Sequence, residues 1–211
     1  MLCLRRLMRR QIKECSRLRD VFVNVGAGRS GKKGWVNIDA CYSTNITLTC
    51  DCRGKLPLPN GCAKGIFTEH FLEHVDYEYE APVLLREFKR ILKPGGVVRI
   101  VVPDAERYLQ AYCTEGWGAL EQLRGLSNNH VDPYFQKEMR SKMEVINLVF
   151  RQFKEHKFAY DYITLERVLS DAGFVQIERS SCGKSRLPEV AIDNPSRSHE
   201  SLYVEAIKPL T

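Results

Sequence analysis

The sequence predicts an α/β fold, doubly wound around a mainly parallel sheet. Three observations point there. Short β-branched runs alternate with helical patterns from residue 21 onward. A helical pattern at 82–92 meets a glycine stop and passes straight into an apolar strand, the second half of a βαβ unit. A glycine-rich turn separates the first two strands. The 211 residues suit one domain with a real core, and no apolar run is long enough to span a bilayer.

Residues 1–20 read as a basic amphipathic leading helix. Leu4, Leu7, Met8, Ile12, Cys15 and Leu18 recur at helical spacing, with arginines on the other sides. This segment carries seven Arg/Lys against two Asp/Glu, a net +5 of the chain's +6. The body is therefore near neutral, which argues against a broad nucleic-acid-binding face. Packing of the apolar stripe on the domain is the preferred reading. Peripheral contact with an anionic membrane or an acidic partner is the alternative, and a cytoplasmic location is expected.

Residues 21–211 read as a single domain. Strands are expected at 21–25, 35–38, 46–50, 65–68 and 97–102. The helix at 82–92 places apolar residues at 84, 85, 88, 91 and 92 and stops at Lys93-Pro94-Gly95-Gly96. Residues 104–160 have few strand signals and read as a helical insertion that forms an acceptor wall or lid. A short helix at 164–172 ends at Gly173, a strand follows at 174–179, and the last strand is at 202–207, after the polar stretch 180–201. The eight cysteines include no C-x-x-C pair, so reduced thiols are expected and no metal site.

In open α/β sheets ligands sit at the carboxyl ends of the strands, which directs attention to the loops after residues 25, 38, 50, 68 and 102. Gly26, Gly28 and Gly31 make a formal G-x-G-x-x-G. A dinucleotide fingerprint needs a helix opening at the third glycine and an acid about 20 residues on. Asp39 lies only 13 residues from Gly26, and 29–34 has no helical periodicity. A nicotinamide-dependent oxidoreductase is therefore disfavoured. Gly26 and Gly28 can let a ligand approach the backbone, and Asp39 can accept hydrogen bonds from both hydroxyls of a ribose.

Five segments in order carry a resemblance. They are Val23-Asn-Val-Gly-Ala-Gly28, Gly34-Trp-Val-Asn-Ile-Asp39, Cys50-Asp-Cys52 with Leu56-Pro-Leu-Pro59, Phe67-Thr-Glu-His-Phe-Leu-Glu-His74, and Leu92-Lys-Pro-Gly-Gly96 with Val101-Val-Pro-Asp104. Together they resemble class I S-adenosylmethionine-dependent methyltransferases, near the type 11 branch, over about 21–104, with further likeness at 165–174 and 202–208. The resemblance implies a seven-stranded Rossmann-like sheet with an antiparallel last strand, and S-adenosyl-L-methionine as cofactor. It implies that Gly26, Ala27 and Gly28 lie along the methionine and ribose, that Asp39 holds the ribose, and that Asp51 meets the adenine amino group. Cys52 would offer its backbone N–H to the ring, and His70 would sit near the methionyl end. Three departures stand out: Asn24 where the family often has an acid, a shortened first crossover, and Lys64-Gly65 opening the fourth strand.

Methyl transfer needs alignment and, for a hydroxyl, a base. His70 and His156 are the candidate catalytic residues, with His74 a second choice after the fourth strand and His130, Tyr160 and His199 weaker ones. Asp104 can face an acceptor or cap a helix. The expected acceptor is a small molecule, lipid or sugar, receiving methyl on O or N. The competing reading is a non-catalytic S-adenosylmethionine- or nucleoside-binding interaction module.

Overall fold

The computed structural model describes residues 2–29, 31–127 and 129–211, with the side chains of residues 2–8 outside the description. Helix α1 spans Leu2–Cys15. The strands β1 (Val21–Val25), β2 (Val36–Asp39), β3 (Leu48–Thr49) and β4 (Ala63–Glu69) precede helix α2 (Ala81–Ile91) and strand β5 (Leu92–Pro103). Then come α3 (Ala105–Cys113), α4 (Gly118–Arg124), a hairpin of β6 (Val131–Asp132) and β7 (Lys137–Glu138), and α5 (Lys142–Arg151). Helix α6 (Tyr162–Asp171), β8 (Val175–Arg179) and β9 (Ser201–Ile207) complete the chain.

Seven strands form one sheet in the order β3-β2-β1-β4-β5-β9-β8. The pairs from β3 to β5 are parallel, and β9 alone runs against its neighbours on both sides. The expected antiparallel last strand is therefore present. Strand β5 begins at Leu92, earlier than its apolar run suggests, because the glycine stop itself pairs. Gly95, at φ +75°, donates its N–H to the Lys208 carbonyl, and Gly96 accepts from Lys208.

Strand alternation gives the sheet two unlike faces. One buries Val23, Val25, Ile38, Ile66, Val98, Ile100, Val102, Leu202 and Val204. Helix α2 brings Leu84, Leu85, Phe88 and Ile91 to it, and α6 brings Leu165, Val168 and Leu169. A side chain as fully buried as Phe88 contributes about 1.5–3 kcal/mol. Helix α1 lies against edge strand β3, with Cys15 in this core and buried Gln11 accepting from the Thr49 N–H at 3.2 Å. Ile12 is 41% exposed. The side chains of Leu4, Arg5, Arg6, Leu7 and Met8 lie outside the described residues.

The other face is covered by residues 180–201. Its apolar cluster is built from strand and loop residues: Phe67, Val101 and Tyr203 with Trp35, Cys182 and Ile192. Beneath that loop Arg99 of β5 is fully buried. Its Nε and Nη2 donate to the two Asp193 oxygens at 2.7 and 2.6 Å, and Nη1 donates to Glu205 at 2.7 Å. The carbonyls of Lys184 and Ser181 accept its remaining N–H groups at 2.8 and 2.9 Å. Each carboxylate also takes a backbone N–H, from Gly183 and Arg186. The buried charges are thus fully hydrogen-bonded.

The residues between β5 and α6 have a core of their own around Tyr108, Leu120, Met139, Val145 and Val149. The hairpin is a departure from the helical expectation. It turns because the Asp132 carboxylate accepts from the N–H groups of Tyr134 and Phe135, and the Asp132-Pro133 pair is its sequence signal. Buried Arg124 donates to Asp132 at 2.7 Å and to Glu200 at 2.8 Å, and Tyr108 donates to Glu200 at 2.6 Å. This ties the second core to the chain entering β9. Burial opposes the Glu200 charge, but Arg197, Arg124 and Tyr108 outweigh it and hold the carboxyl at about 2 against an ordinary 4.5. The unfolded chain takes up that proton first, so the stabilisation is present above pH 4.5 and is lost as pH falls towards 2. An acid titration of stability should lose on the order of 3 kcal/mol across that window, and Glu200→Gln should remove that part of the slope.

Candidate functional site

The loops after β1, β2, β3 and β4 converge at one end of the sheet. The first crossover has no helix among its described residues. It is held by side-chain amides instead. Asn37 Oδ1 accepts from Asn24 Nδ2 at 3.2 Å and from the Lys32 N–H at 2.8 Å, and Asn37 Nδ2 donates to the Lys32 carbonyl at 2.9 Å. Asn24, the departure noted in the sequence, thus bonds its register partner Asn37 on the neighbouring strand.

Gly26 and Gly28 both have positive φ, +70° and +56°. The N–H groups of Gly26 and Ala27 both reach the Ile38 carbonyl at 3.0 Å, fixing the turn on β2. The two glycines then differ. A Cβ at Gly26 would lie 2.3 Å from Phe71 Cγ, so Gly26 makes room for Phe71 on that side and not for a ligand. Nothing stands within 4 Å of the corresponding point at Gly28.

Asp39 ends β2 with its carboxylate across the turn. Oδ2 accepts from the Gly28 N–H at 2.8 Å and Oδ1 from the Cys41 N–H at 2.7 Å. Each oxygen keeps a further lone pair. Asp39 lines a cleft of about 670 Å³ with Cys41, Asp51, Cys52, Phe71 and His74, and its far wall is Phe153, Lys154, Glu155 and Lys157. The structure therefore brings Asp39, Asp51 and Cys52 together. Asp51 is not free: the Arg53 guanidinium grips both its oxygens at 2.9 and 2.8 Å, and holds the carboxyl at about 2. The Cys52 thiol is buried, and its pairing with Cys50 and its burial push it far up, so it stays a thiol. Glu87 and Arg90 of α2 pin the following segment, bonding Leu56, Leu58 and Asn60.

Gly26 and Ala27 line a second, more polar pocket of about 340 Å³, with Asn24, Lys32, Phe67, Glu69, Asp193 and Asn194. Lys32 and Arg53 had no place in the sequence reading of the site, and Glu69 and Phe71 fell within the quoted segment 67–74 without a role of their own. Glu69 closes β4, and the other three lie in the loops that follow β1, β3 and β4.

The histidines divide. His70, at φ +50°, turns its ring inward, Nε2 at 2.9 Å from Ser201 Oγ and Nδ1 at 3.3 Å from Glu73. The His156 side chain is 6% exposed, its Nδ1 at 2.6 Å from the Val149 carbonyl and its Nε2 at 4.0 Å from Glu73. His74 is the histidine among the cleft's lining residues. His130 stacks on Trp117 at 3.9 Å, His199 lines a groove between α3 and α4, and the Tyr160 hydroxyl is buried. Asp104 takes its capping role: it is buried and accepts from the Arg107 N–H at the start of α3.

The family model of a methyltransferase domain matches residues 33–100. No curated protein gives a significant sequence match. Among solved structures, a phosphoethanolamine N-methyltransferase from Haemonchus contortus aligns over 91% of this chain at 13% identity and a TM-score of 0.49. The chain covers 50% of that protein's length. A 1,6-didemethyltoxoflavin-N1-methyltransferase from Burkholderia thailandensis aligns over 96% of this chain and 78% of its own, at 14% identity and a TM-score of 0.47. A methyltransferase from Archaeoglobus fulgidus aligns over 98% of this chain and 93% of its own, at 16% and 0.47. The domain match and the sheet agree in place: residues 33–100 match a methyltransferase-domain model and run from the first crossover into β5 of a seven-stranded sheet in the order β3-β2-β1-β4-β5-β9-β8.

Proposed function

We propose that the chain transfers a methyl group from S-adenosyl-L-methionine to an oxygen or nitrogen of a small-molecule, lipid or sugar acceptor. The observation that carries this is the Asp39 carboxylate, fixed at a strand end by two backbone N–H groups with lone pairs left over and an open cleft before it. Those lone pairs suit the two donating hydroxyls of a ribose. Asp51 and the Cys52 backbone suit the adenine on the same wall, with Asp51 steadied by Arg53. Lys32 and Glu69, in the pocket beside Gly26 and Ala27, offer opposite charges to the carboxylate and ammonium of the methionyl end. The cofactor supplies a methyl already activated on a sulfonium. The protein's part is to align, exclude water and remove a proton, and His74 is the base the cleft wall offers.

Calorimetry is expected to show binding of S-adenosylmethionine and S-adenosylhomocysteine and none of NAD. Heat with NAD alone would overturn the reading. A second reading is a binding module without turnover, favoured by the inward orientation of His70 and His156. Transfer of tritiated methyl to any member of an acceptor panel would exclude it.

A further inference from the structure

Glu73, His74 and His156 meet at the edge of the cleft; the methyl-transfer reading uses only His74 of the three, and a His74 that ligates a metal is not free to act as that base. We propose that they form a binding site for a divalent transition-metal ion with a preference for nitrogen and oxygen ligands, such as zinc. Glu73 is 1% exposed, and neither of its carboxylate oxygens has a hydrogen-bond partner. Its nearest nitrogens are His70 Nδ1 at 3.3 Å and His156 Nε2 at 4.0 Å. Burial opposes the Glu73 charge and only the neighbouring imidazoles of His70, His156 and His74 offset it, holding the carboxyl below its ordinary value; a cation would offset it directly.

The imidazoles are prepared in the same sense. His156 Nδ1 stands 2.6 Å from the Val149 carbonyl and His74 Nδ1 stands 3.2 Å from the Glu155 carbonyl. A carbonyl only accepts, so each Nδ1 carries the proton and each Nε2 keeps its lone pair. That is the outer support metal-binding histidines commonly have. One ligand atom from each of the three residues lies within 4.8 Å of the others. Tetrahedral ligands at about 2.0–2.2 Å from zinc stand roughly 3.4 Å apart, so binding draws the three inward by about 1 Å. His70 Nδ1, already beside Glu73, can then donate to the ligating carboxylate.

Two imidazoles and one carboxylate suit zinc, cobalt or nickel better than calcium or magnesium, and they leave one position open. His74 also lines the cleft, so the site is one imidazole away from the space proposed for the cofactor's ribose and adenine. The residues come from two distant parts of the chain, joined where the Lys157 and Phe158 N–H groups bond the Glu73 carbonyl at 2.7 and 3.2 Å.

The full chain, stripped with a chelator, would be titrated with Co²⁺. One equivalent is expected to bind, with visible bands of a nitrogen–oxygen site and no thiolate charge-transfer band, and Zn²⁺ should displace it and raise the melting temperature. Glu73→Gln keeps the volume and removes the buried charge, and should weaken Co²⁺ binding at least roughly 100-fold with the fold intact by circular dichroism. His74→Ala, at a partly exposed position, gives the same test should Glu73→Gln fail to fold. Cys41→Ser and Cys50→Ser should leave the spectrum unchanged. Absence of binding by the parent chain, a thiolate spectrum lost on cysteine replacement, or native affinity in both folded variants would each overturn the site. Binding of S-adenosylhomocysteine by the metal-free chain, measured alongside, tests the methyl-transfer reading separately.

Discussion

Arg99→Ala is expected to destabilise the protein by about 3–5 kcal/mol and to release residues 180–200 from the sheet. The guanidinium is fully buried and holds two carboxylates, Asp193 and Glu205, that are themselves almost wholly out of water. Deleting the cation leaves both anions without their main partner in a low-dielectric place, and this is the origin of the cost. Lysine should not rescue, because a single ammonium cannot replace a fork that reaches two carboxylates and two carbonyls at once. The triple change Arg99→Met, Asp193→Asn, Glu205→Gln should recover much of the loss, since no buried charge then remains. Urea unfolding gives the energies. Limited proteolysis gives the location, with new cleavage expected between 180 and 200 in Arg99→Ala and not in the triple variant.

Asp39→Ala should reduce affinity for S-adenosylhomocysteine at least about a hundredfold. Each hydrogen bond to a charged group is worth about 1.5–3 kcal/mol, and the proposed ribose contact uses two. The same change removes the acceptor for the Gly28 and Cys41 N–H groups, so both turns loosen as well. Asp39→Asn separates these effects. It retains one oxygen as acceptor and puts a donor where the carboxylate had its second, so one backbone bond survives while the paired acceptance of two hydroxyls is lost. Calorimetry on both, with melting temperatures measured in parallel, shows whether affinity falls further than stability. Equal affinity in Asp39→Ala and the parent would sink the ribose assignment.

Much of the sheet could be read from residue type because its signals are local. The run 21–25, the helix stop at Lys93–Gly96 and the acid at the end of β2 each announce themselves within a few residues. The short crossover was legible too, through the missing helical period after Gly28. What escaped the sequence reading depends on long-range meetings. Phe71 over Gly26 spans 45 positions, and His156 beside Glu73 spans 83, so neither pattern exists until the strands are ordered. The β6–β7 hairpin was hidden by strands only two residues long, too brief to show alternation. Arg99 was the one distant feature with a local trace. A lone cation inside Val97-Val98-Arg99-Ile100-Val101-Val102 has to be neutralised by something, although its partners could not be named.

The loop-covered face carries a consequence for biosynthesis. Helices that pack on a sheet are usually made between its strands, so each face closes as the polypeptide emerges. Here Phe67, Arg99 and Val101 leave the ribosome long before residues 180–205 exist to cover them. A nascent chain stalled before that segment would present an apolar, singly charged surface to its neighbours, the condition in which chaperone capture and aggregation compete.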